Sequence, residues 1–202
     1  NNSAVVKSIE KGRIWERKLI PFFDKYIKKG TNAIDIGAYI GTHSVLMSER
    51  AKEVYAFEPQ KYAGACLRKT IHDNVLTNIN LFHVALFDKE TVLQFGTNHN
   101  GDASITTNRR KEYIHNYTVQ CKRLDSYNFE KVSLIKLDAE GSEYNVLNGA
   151  ANLINECRPV ILIEIWKSPK KYNLIYRWCV LNGYRIDKIS GDDYILLPLE
   201  EA

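Results

Sequence analysis

The stretch that most restricts the fold is Ala33-Ile34-Asp35-Ile36, which runs into Gly37 and, four residues on, Gly41. A short apolar run that ends at glycine and passes into a helix-forming segment is the pattern of a buried strand feeding a tight turn. The alternation continues. Residues 42–52 read as helix, 53–57 as strand, 61–75 as helix and 81–85 as strand. Residues 119–123 and 133–137 are strand-like, followed by a helix over 142–155 and the strand 160–165. Apolar strands alternating with helices predict an α/β fold with a mostly parallel sheet covered on both faces. The tail offers a helix over 171–181, then 184–189 and 194–197 across the turn Ser190-Gly191-Asp192-Asp193, which reads as an antiparallel hairpin.

Two segments stand outside this alternation. Residues 1–30 form an N-terminal helical segment, with Ile9, Ile14, Trp15, Leu19, Phe22, Phe23 and Ile27 at near-helical spacing and Pro21 expected to kink or restart the helix. Residues 96–118, GTNHNGDASITTNRRKEYIHNYT, are polar with little periodicity and are expected to be an irregular substrate or lid loop. There is no internal repeat and no linker, so the 202 residues are expected to form one domain. The chain opens Asn1-Asn2-Ser3, and its only methionine is Met47. It therefore reads as a domain cut from a longer protein.

Charge narrows the partners. The net charge is +4 and the basic residues are dispersed, which argues against a nucleic-acid groove. Cys66, Cys121, Cys157 and Cys179 are widely separated, without the paired spacing of a zinc site or a disulfide scaffold, so reduced thiols in the cytoplasm are expected. No apolar run approaches the roughly 18 residues of a membrane span.

The glycine turn is a nucleotide site of an uncommon kind. A dinucleotide fingerprint needs a middle glycine, and here Tyr39 occupies that place. No lysine follows Gly41, which excludes a P-loop. What remains is Asp35, Gly37 and Gly41, a carboxylate two residues before the first glycine. It would repel phosphates and suits a cation. S-adenosylmethionine carries an ammonium and a sulfonium and no phosphate. At the end of the next strand, VYAFEP places Glu58 where a carboxylate can accept from both ribose hydroxyls.

Together, AIDIGAYIGTHS, VYAFEP, VALFD, LIKLDAEGSEYNVLNGA and RPVILIEIW resemble the FkbM family of S-adenosylmethionine-dependent methyltransferases over residues 12–166. The resemblance implies a Rossmann-like class I methyltransferase fold, seven-stranded, with the final hairpin supplying the antiparallel strand. It implies S-adenosyl-L-methionine as methyl donor, S-adenosyl-L-homocysteine as product, and methyl transfer to oxygen, often on sugars or glycan-bearing molecules. A carbohydrate acceptor and neighbouring sugar-handling domains in a longer parent chain are the partners expected. The implied cofactor-binding set is Asp35, Gly37, Ala38, Tyr39, Gly41, Thr42, His43, Ser44, Glu58, Pro59, Ala85 and Asp138. The family commonly has asparagine where this chain has Tyr39.

The transfer step points to the second motif. A sugar hydroxyl must lose its proton during or after attack, and Asp138 and Glu140, just past a strand, are the expected bases, with Glu164 third. Lys136 shares a strand face with Asp138. A buried lysine needs a partner, and Asp35 or Glu164 is expected to supply it. Glu143 reads as a first-turn acid favoured by the helix dipole, and Ser142 as the cap of that helix. A divalent metal on Asp138 and Glu164 is a second route to an activated oxygen, but no ligand spacing marks one and none is expected to be required. Substrate contacts are expected from Tyr39, Asn100, Asp102, Ser104 and Trp166, with His99, His115, Arg109, Arg110 and Tyr113 in or beside the same loop.

Overall fold

The computed structural model describes residues 4–97, 103–105, 115–166 and 168–199. The chain runs through α1 (Ala4–Glu10), a 3-10 turn (Arg17–Leu19), α2 (Ile20–Tyr26), β1 (Asn32–Ile36), α3 (Thr42–Ser48), β2 (Val54–Phe57) and α4 (Lys61–Asp73). Next come β3 (Ile79–Phe82), β4 (Ala85–Leu86), β5 (Thr91–Thr97), β6 (Ala103–Ile105), β7 (His115–Lys122) and a second 3-10 turn (Leu124–Tyr127). The remainder is β8 (Val132–Leu137), α5 (Glu143–Gly149), α6 (Ala151–Cys157), β9 (Val160–Glu164), α7 (Pro169–Leu181), β10 (Tyr184–Ser190) and β11 (Asp193–Pro198).

Seven strands form one sheet in the order β10-β11-β9-β8-β1-β2-β3. The five from β9 to β3 are parallel, and β11 joins them antiparallel with β10 beyond it. The α/β class, the mostly parallel seven-stranded sheet and the terminal hairpin all match the reading of the sequence. Strand alternation divides the core. Ile34, Ile36, Ile135 and Leu137 point to the face packed by α5, α6 and α7, while Ala33, Leu134 and Leu162 point to the face packed by α2 and α3.

Asp35 and Lys136 lie on that second face, and parallel pairing sets them side by side in the register of β1 and β8. The ion pair between them is thus written into the strand register. β1 is the inner strand at which the order reverses, so its C-terminal turn opens at the crevice where open α/β sheets bind ligands.

Three expectations need correction. Residues 96–118 are not wholly irregular, because β5 pairs with β7 from Thr91↔Cys121 to Thr97↔His115, and β6 adds to β5. Together with β4 they make a separate four-stranded sheet. Polar composition hid the period-2 signal, since the inward residues of this one-sided sheet are few. Phe95 faces Tyr117 across the strands, with ring centroids 5.5 Å apart. The strand expected at 81–85 divides accordingly, into β3 and the two residues of β4 that leave for the second sheet. Finally, the N-terminal helical segment is not continuous. Positive φ at Gly12 and Glu16 interrupts it, and Pro21 stands in the first turn of α2, the restart that is one of its two expected effects.

Candidate active site

The ends of β1, β2, β8 and β9 surround a cavity of about 620 Å³, within the range that holds a cofactor-sized molecule. Gly37, the first residue past β1, has φ 76°. A Cβ there would stand 1.8 Å from the backbone oxygen of Asp138. The amide of Asp138 donates in turn to the Ile36 carbonyl at 3.0 Å. The glycine turn and the LDAEG segment are therefore in backbone contact, as two walls of one pocket.

Of the residues expected to bind cofactor, Gly37, Ala38, Tyr39, Thr42, His43, Glu58, Pro59, Ala85 and Asp138 line this cavity. Asp35, Gly41 and Ser44 do not. Asp35 is completely buried below the turn, where it accepts from the Ser44 hydroxyl at 2.6 Å and stands 3.9 Å from Lys136 Nζ. Burial pushes its carboxyl up, against the pull of Lys136 and Ser44. Its role is to support the turn. A Cβ on Gly41 would lie 2.2 Å from Leu67 Cδ1, so this glycine brings the turn against α4.

Tyr39 has φ 51°, a left-handed conformation that asparagine tolerates better than tyrosine. The departure at the tip of the loop is thus a residue held in a backbone state that its side chain disfavours. What holds it is visible. Its amide donates to Glu58 Oε2 at 2.8 Å, while Glu58 Oε1 accepts from the Gln60 amide at 2.6 Å. Glu58 is only 5% exposed, and burial raises its carboxyl to about 7 although both amides favour the ionised form. Each oxygen keeps a lone pair for a further donor, as a ribose diol requires.

The other wall is acidic. Lys136, 6% exposed, stands 3.4 Å from Asp138 Oδ2 as well as 3.9 Å from Asp35. Burial opposes its charge, but the carboxylates of Asp138 and Asp35 outweigh that and raise its pKa. The expected bridge to Asp35 is present, but the second partner is Asp138 rather than Glu164. Glu164 is raised to about 9 by burial first and then by the charge of Asp138. Asp138 Oδ1 is buried without a hydrogen-bond partner among the described residues. Glu140 and Trp166 also line the cavity, and Trp166 is 43% exposed with Lys171 Nζ 5.6 Å from its ring centroid.

Other expectations fare differently. Ser142 makes no side-chain cap; Glu143 instead accepts from the Gly141 amide at 2.7 Å and is buried, fastening the turn that carries Glu140. His43 is 5% exposed, and burial, followed by the charges of Lys136 and Lys18, lowers its ring to about 3, so it is neutral and unsuited to proton transfer near pH 7. Asn100, Asp102, His99, Arg109, Arg110 and Tyr113 lie outside the described residues, as does the side chain of Ser104 on β6. Among the described residues no group of three or more His, Cys, Asp or Glu side chains is arranged to hold a metal ion.

Reading the sequence missed Glu16, Trp15, Phe95 and Asp192, which also line the cavity. Phe95 was hidden with the β5–β7 pairing. Trp15 and Glu16 come from the N-terminal segment, where apolar spacing indicated only core packing.

A family model for the methyltransferase FkbM domain matches residues 35–186. The chain belongs to the FkbM methyltransferase family. The matched span contains both the glycine turn that begins at Gly37 and the LDAEG segment, the two walls described above. No curated protein matches it. Among solved structures it is similar to a methyltransferase FkbM from Methylobacillus flagellatus KT, with TM-score 0.63 and 13% identity over 95% of this chain and 59% of that one. It is also similar to an rRNA methylase from Streptococcus thermophilus, with TM-score 0.58 and 14% identity over 90% and 94% of the two chains. A putative methyltransferase from Streptococcus mutans in complex with SAH gives TM-score 0.55 and 13% identity over 88% and 92%. At such identities these structures share the fold with this chain. The chain spans about three fifths of the M. flagellatus protein.

Proposed function

We propose that this FkbM methyltransferase uses S-adenosylmethionine to methylate a hydroxyl oxygen of a sugar in a glycan or glycoconjugate. The observation that carries the reading is a single cavity with Glu58 on one wall and Asp138, backed by Lys136 and Glu164, on the other. The residues suit the cofactor. Gly37 lets the turn close against the Asp138 backbone, Glu58 keeps acceptors for two hydroxyls, and the acidic wall favours a cation over a phosphate. The structurally similar S. mutans protein, in complex with SAH, supports the same donor.

When bound, the cofactor supplies an electrophilic methyl on a sulfonium. The chain's own residues do the rest. Asp138 would accept the proton of the acceptor hydroxyl as its oxygen took the methyl, the S–CH3 electron pair staying with the departing thioether. Lys136 holds Asp138 Oδ2 and keeps that carboxylate oriented. Glu164, protonated at neutral pH by its raised pKa, adds no second negative charge beside Asp138 and can donate to an acceptor oxygen. Trp166 offers an exposed ring for the apolar face of a sugar. Free cysteines, two of them buried, accord with a cytoplasmic location, which belongs to the same proposal.

The test is transfer of labelled methyl from S-adenosylmethionine to a panel of carbohydrates, with the product position located by NMR. Label on a sugar oxygen is expected. Cofactor binding without label on any carbohydrate, with or without added divalent metal, would overturn the sugar reading.

A further inference from the structure

Glu16 belongs to a segment that precedes the family match, and its backbone is unusual. It has φ 45° and ψ 42° immediately before the 3-10 turn. A non-glycine residue in that region costs roughly 1–2 kcal/mol. Such strain persists where surroundings over-determine it, and function is then the first hypothesis to examine. Here the conformation delivers a carboxylate into the large cavity, beside the acidic wall.

The cavity has two chemically different ends. Phe57, Val84, Leu86 and Phe95 make one end apolar, on the side of β2 and the second sheet. The order β8-β1-β2 then places Asp138 across the Gly37 turn from Glu58. A ligand whose ribose is held by Glu58 puts its base among the apolar residues and its charged amino-acid tail toward Asp138, Thr42 and Glu16. The contacts of Glu16 are long. His43 Nε2 stands at 3.5 Å and Lys18 Nζ at 3.6 Å. Lys18 is mainly engaged elsewhere, in a short hydrogen bond to Asp193. His43, neutral in its buried setting, brings no cation. Burial raises the Glu16 carboxyl and outweighs Lys136 and Lys18, which favour the ionised form, so an ammonium arriving there offsets what burial costs. His43 Nε2 also lacks a hydrogen-bond partner among the described residues.

We propose that Glu16 is the residue that grips the α-ammonium of the cofactor's amino-acid tail, so that the N-terminal segment closes the cofactor site and selects ligands that carry that tail. The assignment rests on the S-adenosylmethionine reading above. Glu16 is a positioning and specificity residue. Its carboxylate and the incoming ammonium form a charge-assisted hydrogen bond in a partly buried place.

The experiment compares two ligands that share adenosine and the thioether but differ in the tail. S-adenosylhomocysteine has the ammonium, and 5′-methylthioadenosine lacks it. Calorimetry on the wild type and on Glu16→Gln is expected to show S-adenosylhomocysteine weakened about tenfold or more, with 5′-methylthioadenosine changed less than about twofold. Glu16→Asn, whose side chain tolerates the left-handed backbone, serves as the second variant and is expected to show the same selective loss in a protein at least as stable. Equal weakening of both ligands, or of neither, would overturn the role of Glu16. If the wild type binds neither ligand, the cofactor reading itself falls and the inference with it.

Discussion

Gly37 and Asp138 touch through their backbones: a Cβ on Gly37 would meet the Asp138 carbonyl oxygen at 1.8 Å, while Asp138 donates its amide to Ile36 one residue earlier. This contact makes one site of two segments a hundred residues apart. Gly37→Ala has to push the two strand ends apart and also places a side chain at φ 76°. We expect a loss of more than about 2 kcal/mol in urea unfolding, from overpacking and backbone strain together. S-adenosylhomocysteine binding should fall with it.

Tyr39 gives a prediction of opposite sign. Asparagine adopts its left-handed backbone more readily, and the amide that bonds Glu58 is unchanged by the substitution. Tyr39→Asn should stabilise the chain by up to about 1 kcal/mol, seen as a higher Tm. A fall in Tm would mean that the tyrosine ring contributes more than the backbone strain removes.

The Lys136 ammonium lies between Asp35 and Asp138, so its removal strands a fully buried carboxylate. Lys136→Met is expected to destabilise by about 3–5 kcal/mol, the range for breaking a buried pair from one side. Neutralising the partner should recover much of this, and the double variant Asp35→Asn with Lys136→Met is the check. Denaturant unfolding of the four proteins measures the coupling directly.

The fold was largely legible because a parallel sheet announces itself through apolar strands and glycine turns, and β1, β2, β8 and β9 appear close to where their apolar runs stand. That Gly37, Glu58 and Asp138 line one cavity was legible for a related reason, since strand ends fix all three in space. Asp35 shows the limit. Its residue type and position were right for the turn, but strand alternation turns it down into the core toward Lys136 and Ser44. Glu16 shows another limit, because a left-handed backbone at a glutamate leaves no mark in the sequence. The β5–β7 pairing was obscured by polar residues on the outer face of a sheet that has only one inner face.

Stability should depend on pH with a definite sign. Glu58 and Glu164 have folded-state values of about 7 and about 9, both above the ordinary 4.5 that applies to the unfolded chain. The unfolded state therefore releases these protons first as pH rises. The stability that they contribute is fully present below about 4.5 and is lost as pH rises through 7 and then 9. The Tm of the ligand-free protein is expected to fall between pH 5 and pH 9. Glu164→Gln, which mimics the protonated acid, should remove the upper part of that fall.

The measurement that bears most directly on the proposed chemistry is methyl transfer by Asp138→Asn beside the wild type, with S-adenosylhomocysteine affinity determined for both. The wild type should place labelled methyl on a sugar oxygen. The variant should bind within about threefold of wild type yet turn over about 10²–10⁴-fold more slowly, the loss expected when a proton acceptor is removed. Undiminished turnover in Asp138→Asn, or label found on nitrogen or carbon, would contradict the account.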